Sequence, residues 1–221
     1  MNWILSNRLN PLLVLLGLLI SVFTGCGGQP VPYDYSNLIA CNPTSILVVP
    51  PRNKSMEVNA PYVFLSTITK PLVEKGYYVF PVSVIDTFFK ENGMQTTYDM
   101  NSIPLDKIYE ILKPDAVLYA DIEEWGQEYQ VISSKGIVKY SFRLLDGKTG
   151  ALLWNGKTEA IEQSGDGGLG IAGALVSAIV DQILSSVHDP TVGLSRSAHE
   201  SAINHSTQGL LSGPYKKELG K

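Results

Sequence analysis

Apolar and polar positions follow a strand, helix, strand, helix order along the first half of the folded part. Residues 45–51 form a continuous apolar run that two prolines end, which indicates a buried strand. From 60 to 75 apolar residues recur at helical spacing, with a proline in the first turn and a glycine after the last. Aromatic and β-branched residues at 77–82 predict a second strand, and 84–91 predicts a short helix.

The second half of the folded part differs, because strand-like segments follow one another directly. After an irregular stretch at 96–102, a helix is predicted at 104–113. Strands are predicted at 116–122, 127–132, 136–145 and 151–158, with a tight turn at 146–150 and later helices at 171–187 and 198–211. The predicted class is α/β: a mixed sheet with an N-terminal strand-helix-strand unit, a C-terminal antiparallel meander and packed helices. This domain would span 44–190, with 191–221 as a C-terminal helix and tail.

The amino-terminal segment predicts export and lipidation. An apolar core at 11–23 is too short for a membrane-spanning helix and ends in Thr24-Gly25-Cys26. These residues resemble the lipobox of bacterial lipoproteins, which implies removal of 1–25 and acylation of Cys26. An ordinary secretory signal or an uncleaved anchor is the alternative, and both also send the chain out of the cytoplasm.

The residues after Cys26 bear on where the chain is held. Gly27 stands where an aspartate would resemble an inner-membrane retention signal, so the resemblance to sorted lipoproteins implies the outer membrane, facing the periplasm. Two or three acyl chains would make the anchor effectively permanent. The Gly-, Pro- and Asn-containing stretch 26–43 is predicted to be a flexible tether.

Charge and cysteine content exclude some classes of protein. The chain has 17 basic and 21 acidic side chains, and the leader contains one of the basic ones, Arg8. A mildly acidic chain with no basic run lacks the electrostatic footprint of a nucleic-acid-binding protein. With Cys26 acylated, Cys41 would be the remaining thiol, so no internal disulfide can form.

Several motifs together resemble a known family. They include Gly-Tyr-Tyr-Val-Phe-Pro-Val at 76–82, Trp125-Gly126 and Thr149-Gly150-Ala151-Leu152-Leu153-Trp154. This pattern resembles the bacterial lipoprotein family called domain of unknown function 799. The resemblance implies a surface-anchored periplasmic α/β domain similar to the amino-terminal domain of the TolB translocation protein. It also implies a homodimer and partnership with curli-secretion-like lipoproteins, and it provides no catalytic residues.

A glycine-rich loop precedes the helix predicted at 171–187. Residues 165–170 satisfy G-x-G-x-x-G, but no parallel strand with a terminal acid follows, so a dinucleotide site is not predicted. Gly170, Ala174 and Ala178 share one helical face, which would allow close packing on the sheet or on another subunit. These three residues are candidate interface positions.

Neither the histidines nor the acidic residues form a convincing catalytic motif. His188, His199 and His205 lack metal-ligand spacing, and no cofactor or metal is predicted. Strand alternation would place Asp121 and Glu123 on one face beside Trp125, with Glu124 next to them. Such acids could serve glycoside hydrolysis, whereas a solvated strand end is the simpler interpretation.

The predicted function is therefore non-enzymatic. Trp125, Tyr77 and Tyr78 are further candidate interface residues, because tyrosine and tryptophan are enriched at protein interfaces. We expect a lipid-anchored accessory or scaffold subunit of an envelope transport or assembly complex, acting through protein–protein contacts. The alternative is a periplasmic ligand-binding or hydrolytic protein that uses a cleft near 121–125.

Overall fold

The computed structural model describes residues 32–129, 134–164 and 190–216. The helices in these ranges are α1 (Ser36–Cys41), α2 (Ala60–Glu74), α3 (Val82–Glu91), α4 (Thr97–Asn101), α5 (Leu105–Leu112) and α6 (Pro190–Ile203). The strands are β1 (Ser45–Val48), β2 (Arg52–Asn53), β3 (Tyr78–Val79), β4 (Ala116–Tyr129), β5 (Ser134–Asp146) and β6 (Leu152–Ser164). The predicted α/β class with a mixed sheet is confirmed.

The described strands form one sheet with the order β3-β1-β4-β5-β6, and β2 pairs with β4 beyond the end of β1. The pairs among β1, β3 and β4 are parallel, whereas β4, β5 and β6 form the antiparallel meander. A β-bulge interrupts the β4–β5 register between Ile122 and Glu124. The parallel strand-helix-strand unit and the meander therefore share the central strand β4.

Helices cover the two faces of the sheet unequally. On one face a large core lies under α1, α2 and α6, and its fully buried side chains include Phe64, Ile68, Tyr140, Phe142 and Trp154. On the other face a smaller core joins β1 and β4 to α3, α4 and α5 through Leu47, Val117, Ile85, Met100 and Ile108. Arg143, Asn155 and Lys157, on β5 and β6, remain exposed.

Close backbone contacts join the segments at the end of the sheet where β1, β3 and β4 begin. The Gly147 N–H donates to the Asp115 carbonyl at 2.8 Å, and a Cβ at Gly147 would lie 2.1 Å from the Pro114 oxygen. Gly76 has φ +92°, and the Tyr215 N–H donates to its carbonyl at 3.0 Å. The turn between β5 and β6 packs against this end of the sheet, and so do residues 213–215.

The tether predicted at 26–43 differs from the structure in its second part, because residues 33–43 belong to the folded domain. Ser36–Cys41 form helix α1, and Leu38 is buried in the large core. The Tyr33 hydroxyl donates to Asn155 Oδ1 at 2.6 Å, and the Tyr35 hydroxyl donates to the Gly209 carbonyl at 2.5 Å. The prediction missed α1 because its partners are more than 100 residues away in sequence.

Several other predicted boundaries also change. The helix predicted at 60–75 is confirmed as α2, but the strand predicted at 77–82 contains two residues, because Pro81 begins the next helix as its cap. Residues 116–122 and 127–129 lie on one continuous strand, and the stretch predicted as irregular contains α4, which a capping box between Thr96 and Asp99 stabilises. The last helix begins at Pro190, not at 198, and packs on the large core. The helix predicted at 171–187 lies outside the described residues.

Candidate functional site

An apolar groove lies between α3, α4 and α5, on the face of the sheet that has the smaller core. It encloses about 460 Å³. Its apolar lining includes Phe88, Met94, Ile103, Ile108, Ile111 and Leu112. Ile111 is 62% exposed although it is a large aliphatic side chain. A concave, mostly apolar site of this size is typical of positions that accept an apolar ligand or side chain.

The three short helices around the groove have locally determined ends. Gly93, with φ +90°, and Lys113, with φ +48°, take left-handed conformations just beyond α3 and α5. Each helix points one or two side chains into the smaller core, chiefly Ile85 and Phe89 from α3 and Ile108 from α5. Because these helices are short, their remaining apolar side chains stay partly uncovered and form the groove.

The polar side chains in the groove lining already have partners. Asn92 donates to the Phe88 carbonyl at 2.8 Å, and the Ser102 hydroxyl donates to the Asp99 carbonyl at 2.7 Å. The Asp99 carboxylate accepts the Thr96 hydroxyl at 2.7 Å, and Lys107 pairs with Glu110 at 2.8 Å. The groove therefore presents apolar surface, and its polar side chains are bonded within the protein.

Of the acidic residues singled out in the sequence, Glu123 and Glu124 line a second cavity, of about 540 Å³, over β4, β5 and β6, and Asp121 precedes them on β4. Arg52 binds the Asp121 carboxylate with two nitrogens, at 2.5 and 2.9 Å. Lys54 binds Glu123 at 2.7 Å, and Lys139 lies 3.5 Å from Glu124. Each of the three carboxylates thus has a cationic partner.

This pairing argues against a hydrolytic role for the acidic cluster. The ammonium of Lys54 and the hydroxyl of Ser141, both bonded to Glu123, lower the pKa of its carboxyl. A glycosidase needs one carboxylic acid whose pKa is raised, so that it stays protonated until it reaches the leaving group. No group of three or more His, Cys, Asp or Glu side chains within the described ranges is placed to hold a metal ion.

The candidate interface residues that the structure describes differ in exposure. Tyr77 is buried, its hydroxyl donates to the Leu211 carbonyl at 2.8 Å, and burial raises its pKa to about 12, so its ring has little surface to offer a partner. Tyr78 is exposed, whereas Trp125 is half-buried and packs against the large core. Cys26, Gly170, Ala174 and Ala178 lie outside the described residues.

A buried polar cluster that sequence reasoning did not find joins α2, β5 and α6. Thr67 Oγ1 lies 2.8 Å from Ser195 Oγ and 3.0 Å from His199 Nδ1, and the Tyr140 hydroxyl lies 2.7 Å from Ser195 Oγ. Thr67 also donates to the Val63 carbonyl at 2.8 Å. A consistent arrangement has Tyr140 donating to Ser195, Ser195 donating to Thr67, and His199 Nδ1–H donating to Thr67. The spacing of Ser195 and His199, four residues apart on a helix, was the one sequence signal for this cluster.

His199 is held as a neutral ring in an aromatic box. It stacks on Tyr140 with ring centres 4.7 Å apart and meets Phe64 edge-on at 4.6 Å. It is fully buried, its Nε2 has no hydrogen-bond partner among the described residues, and burial lowers its pKa to about 3. The surroundings are those of a core residue and not of a proton-transferring group open to substrate.

Comparison with known proteins identifies the family. Residues 33–215 match the family described as "Putative lipoprotein GNA1162-like". This chain belongs to that lipoprotein family. A family relative from Neisseria meningitidis serogroup B (strain ATCC BAA-335 / MC58), named "Putative lipoprotein NMB1124/NMB1162", is 37% identical over 208 residues, which cover 93% of this chain and 96% of the relative.

A solved structure supports the same assignment. The crystal structure of lipoprotein GNA1162 from Neisseria meningitidis is 42% identical to the matched part, with a TM-score of 0.55, and the match covers 65% of this chain and 100% of that one. Residue 33, where the family match begins, is also where the folded domain begins. The resemblance to the family called domain of unknown function 799 and to the TolB domain stays a prediction. Within the described ranges, no helix has the length and apolar character needed to cross a bilayer.

Proposed function

We propose that this protein is a lipid-anchored accessory or scaffold subunit of an envelope transport or assembly complex, and that it works through protein–protein contacts without catalysing a reaction. The observation that carries the proposal is membership of a lipoprotein family over residues 33–215, together with the lipobox-like run that ends at Cys26, just before that region. In this proposal acyl chains on Cys26 hold the domain at the periplasmic side of the outer membrane. Confinement to a surface raises the effective concentration of the domain for partners held there.

The groove between α3, α4 and α5 is the proposed contact site for a partner. Its apolar lining and internally satisfied polar groups suit apolar side chains of another envelope protein. Curli-secretion-like lipoproteins are candidate partners, and a second copy of this chain is another. The ion pairs of Asp121, Glu123 and Glu124 weigh against the alternative of a hydrolytic site near 121–125.

The first test of the proposal is the chemical state of Cys26. Mass spectrometry of protein isolated from native membranes should find an amino-terminal peptide that starts at an acylated Cys26, and the Cys26→Ala variant should lose membrane association. A native peptide with an unmodified Cys26, or one that retains residues before it, would contradict the anchoring proposal.

The second test concerns the groove. Ile111→Glu places a charge in the apolar lining, whereas Val58→Glu changes a residue that is 77% exposed in the loop before α2. Cross-linking in membranes should lose the partner with Ile111→Glu and keep it with Val58→Glu, while both variants stay membrane-bound. Equal cross-linking of the two variants would rule out the groove as the contact site, and a cross-linked product of twice the chain mass would identify a second copy as the partner.

A further inference from the structure

The point at which the chain enters the folded domain lies at one defined edge of the sheet. The Tyr33 ring is held on β6, because its hydroxyl donates to Asn155 Oδ1 and accepts the Asn155 N–H at 2.8 Å. From there α1 runs towards β1, and the Asn37 side-chain amide donates to the Leu152 carbonyl at 3.0 Å. We call this the anchor-side edge; it comprises α1, residues 113–115, residues 146–152, the starts of β1 and β3, and residues 211–216.

Hydrogen bonds show that these segments form one continuous surface. The Gly147 N–H joins the turn between β5 and β6 to the Asp115 carbonyl, and the Tyr78 N–H donates to the Thr44 carbonyl at 2.9 Å. The Tyr77 hydroxyl and the Tyr215 N–H tie residues 211–216 to the start of β3. The starts of three parallel strands necessarily lie together, so this edge is a single end of the sheet.

Large apolar side chains are exposed along the anchor-side edge. Ile39, on α1, is 66% exposed, and Leu152, the first residue of β6, is 45% exposed. Tyr78, Leu211 and Tyr215 are exposed further along the same edge. Tyrosine and aliphatic side chains in this combination suit the boundary between lipid headgroups and acyl chains.

The charged groups at this edge point in different directions. Thr44 and Ser45 donate backbone and hydroxyl hydrogens to the Asp115 carboxylate, and the Lys148 and Thr149 N–H groups donate to Asp146. The exposed Lys113 and Lys148 have no carboxylate partner within the described ranges. The Asp115 and Asp146 carboxylates therefore accept hydrogen bonds from the protein itself, whereas the ammonium groups of Lys113 and Lys148 are available to phosphate groups outside it.

The number of residues between Cys26 and Tyr33 limits how far the domain can lie from its proposed lipid anchor. Six residues separate Cys26 from Tyr33, and a fully extended chain across that interval reaches at most about 25 Å. The predicted tether of 26–43 would have allowed about twice that reach. An acylated Cys26 can therefore lie no further than about 25 Å from Tyr33.

We infer that the anchor-side edge lies against phospholipid headgroups, with Ile39 and Leu152 in contact with the lipid and Lys113 and Lys148 bound to phosphate groups. This inference rests on the proposed anchoring through Cys26. The lipid surface is thus a second, non-covalent contact that orients the domain.

The test compares two labelled positions on the acylated chain in vesicles of phosphatidylethanolamine and phosphatidylglycerol that contain headgroup-nitroxide lipid. Thr149→Cys places a fluorophore at the anchor-side edge without removing Lys148, and Glu124→Cys places it about 26 Å along β4 from Ala116. Cys41 is half-buried, and burial with the Asp146 hydrogen bond raises its pKa to about 12, so an exposed thiol reacts first. We expect quenching at 149 to exceed that at 124 by at least about twofold.

A second pair of variants separates contact from tethering. Ile39→Asp combined with Leu152→Asp should lower quenching at 149 to the level at 124 while flotation with the vesicles stays unchanged, and Val58→Asp should change neither. Equal or stronger quenching at 124 in a chain that floats overturns this inference alone. A chain that does not float overturns the anchoring proposal and the inference with it.

Discussion

The two faces of the sheet differ in how completely helices cover them. On the large-core face, α1, α2 and α6 bury aromatic rings from β5 and β6, and even a histidine is fully enclosed. On the other face, α3, α4 and α5 cover β1 and β4, leave a groove between them, and do not reach the exposed residues of β5 and β6. The first face accounts for much of the domain's stability, and the second presents surface that a partner can use.

The largest expected effect is on the large-core face. Phe64→Ala removes a fully buried ring that contacts Tyr140 and His199, with centres 5.1 and 4.6 Å away. We expect a loss of about 3–5 kcal/mol in the free energy of unfolding, measured by urea denaturation. Phe88→Ala, in the half-covered groove, is the matched control and should cost clearly less. Equal losses would mean that the two faces contribute alike.

The buried His199, on the same face, predicts that the free energy of unfolding depends on pH. Its pKa falls from 6.5 in the unfolded chain to about 3 in the folded domain. Above pH 6.5 both states are neutral; as the pH falls, the unfolded chain binds a proton that the folded domain rejects, so stability falls until about pH 3. Between pH 7 and pH 5 the expected loss is about 2 kcal/mol.

Two variants check this assignment. His199→Gln should remove that loss between pH 7 and pH 5, because glutamine does not titrate, whereas His205→Gln should retain it, since His205 is exposed. Unfolding curves at several pH values measure the effect. An unchanged slope in the His199→Gln variant would assign the pH dependence to another group.

A smaller effect is expected from the hydrogen bonds around His199. Thr67→Val keeps the shape of the side chain but removes the oxygen that Ser195 and His199 both approach. We expect a loss of about 1–2 kcal/mol, since two buried polar groups lose a partner. Thr97→Val, at the first residue of α4, provides a control on the other face, and a Thr67→Val variant as stable as that control would rule out this arrangement.

The smallest effect is expected in the groove. Ile111→Glu changes a side chain that already faces water, so the free energy of unfolding should shift by less than about 0.5 kcal/mol. The same substitution is expected to abolish partner cross-linking, which would separate binding from folding. A loss comparable to that of Phe64→Ala would show that Ile111 is part of the stabilising core.

The helices and strands that could be predicted from the local sequence pattern are the long or strongly apolar ones. Helix α2 matches its prediction closely, because its apolar spacing, early proline and terminal glycine all act within fifteen residues. Alternation along β4 predicted that Asp121 and Glu123 share one face beside Trp125. The β-bulge between Ile122 and Glu124 changes this, because Trp125 packs against the large core while Glu123 accepts the Ser141 hydroxyl. The partners of these acids were missed, because Arg52, in a two-residue strand, and Lys54, just after it, lie nearly 70 residues earlier in the chain.

The candidate site was less accessible to sequence reasoning than the fold. The groove arises where three short helices fail to cover their own apolar residues, and such incomplete covering has no signature within one helix. The polar cluster around His199 combines residues from α2, β5 and α6, whose separations along the chain exceed 50 residues. Helix α1 likewise depends on contacts with Asn155 and Gly209.

Apolar periodicity was enough to predict the α/β class and the main helix and strands. The lipobox-like run alone gave the prediction of an acylated Cys26. Those properties depend on neighbouring residues, which act over one or two turns of the backbone. The start of the folded domain at Tyr33, the enclosure of His199 and the openness of the groove came from packing between distant segments. Whether a side chain is buried depends on what the rest of the chain places above it, and local pattern contains no record of that.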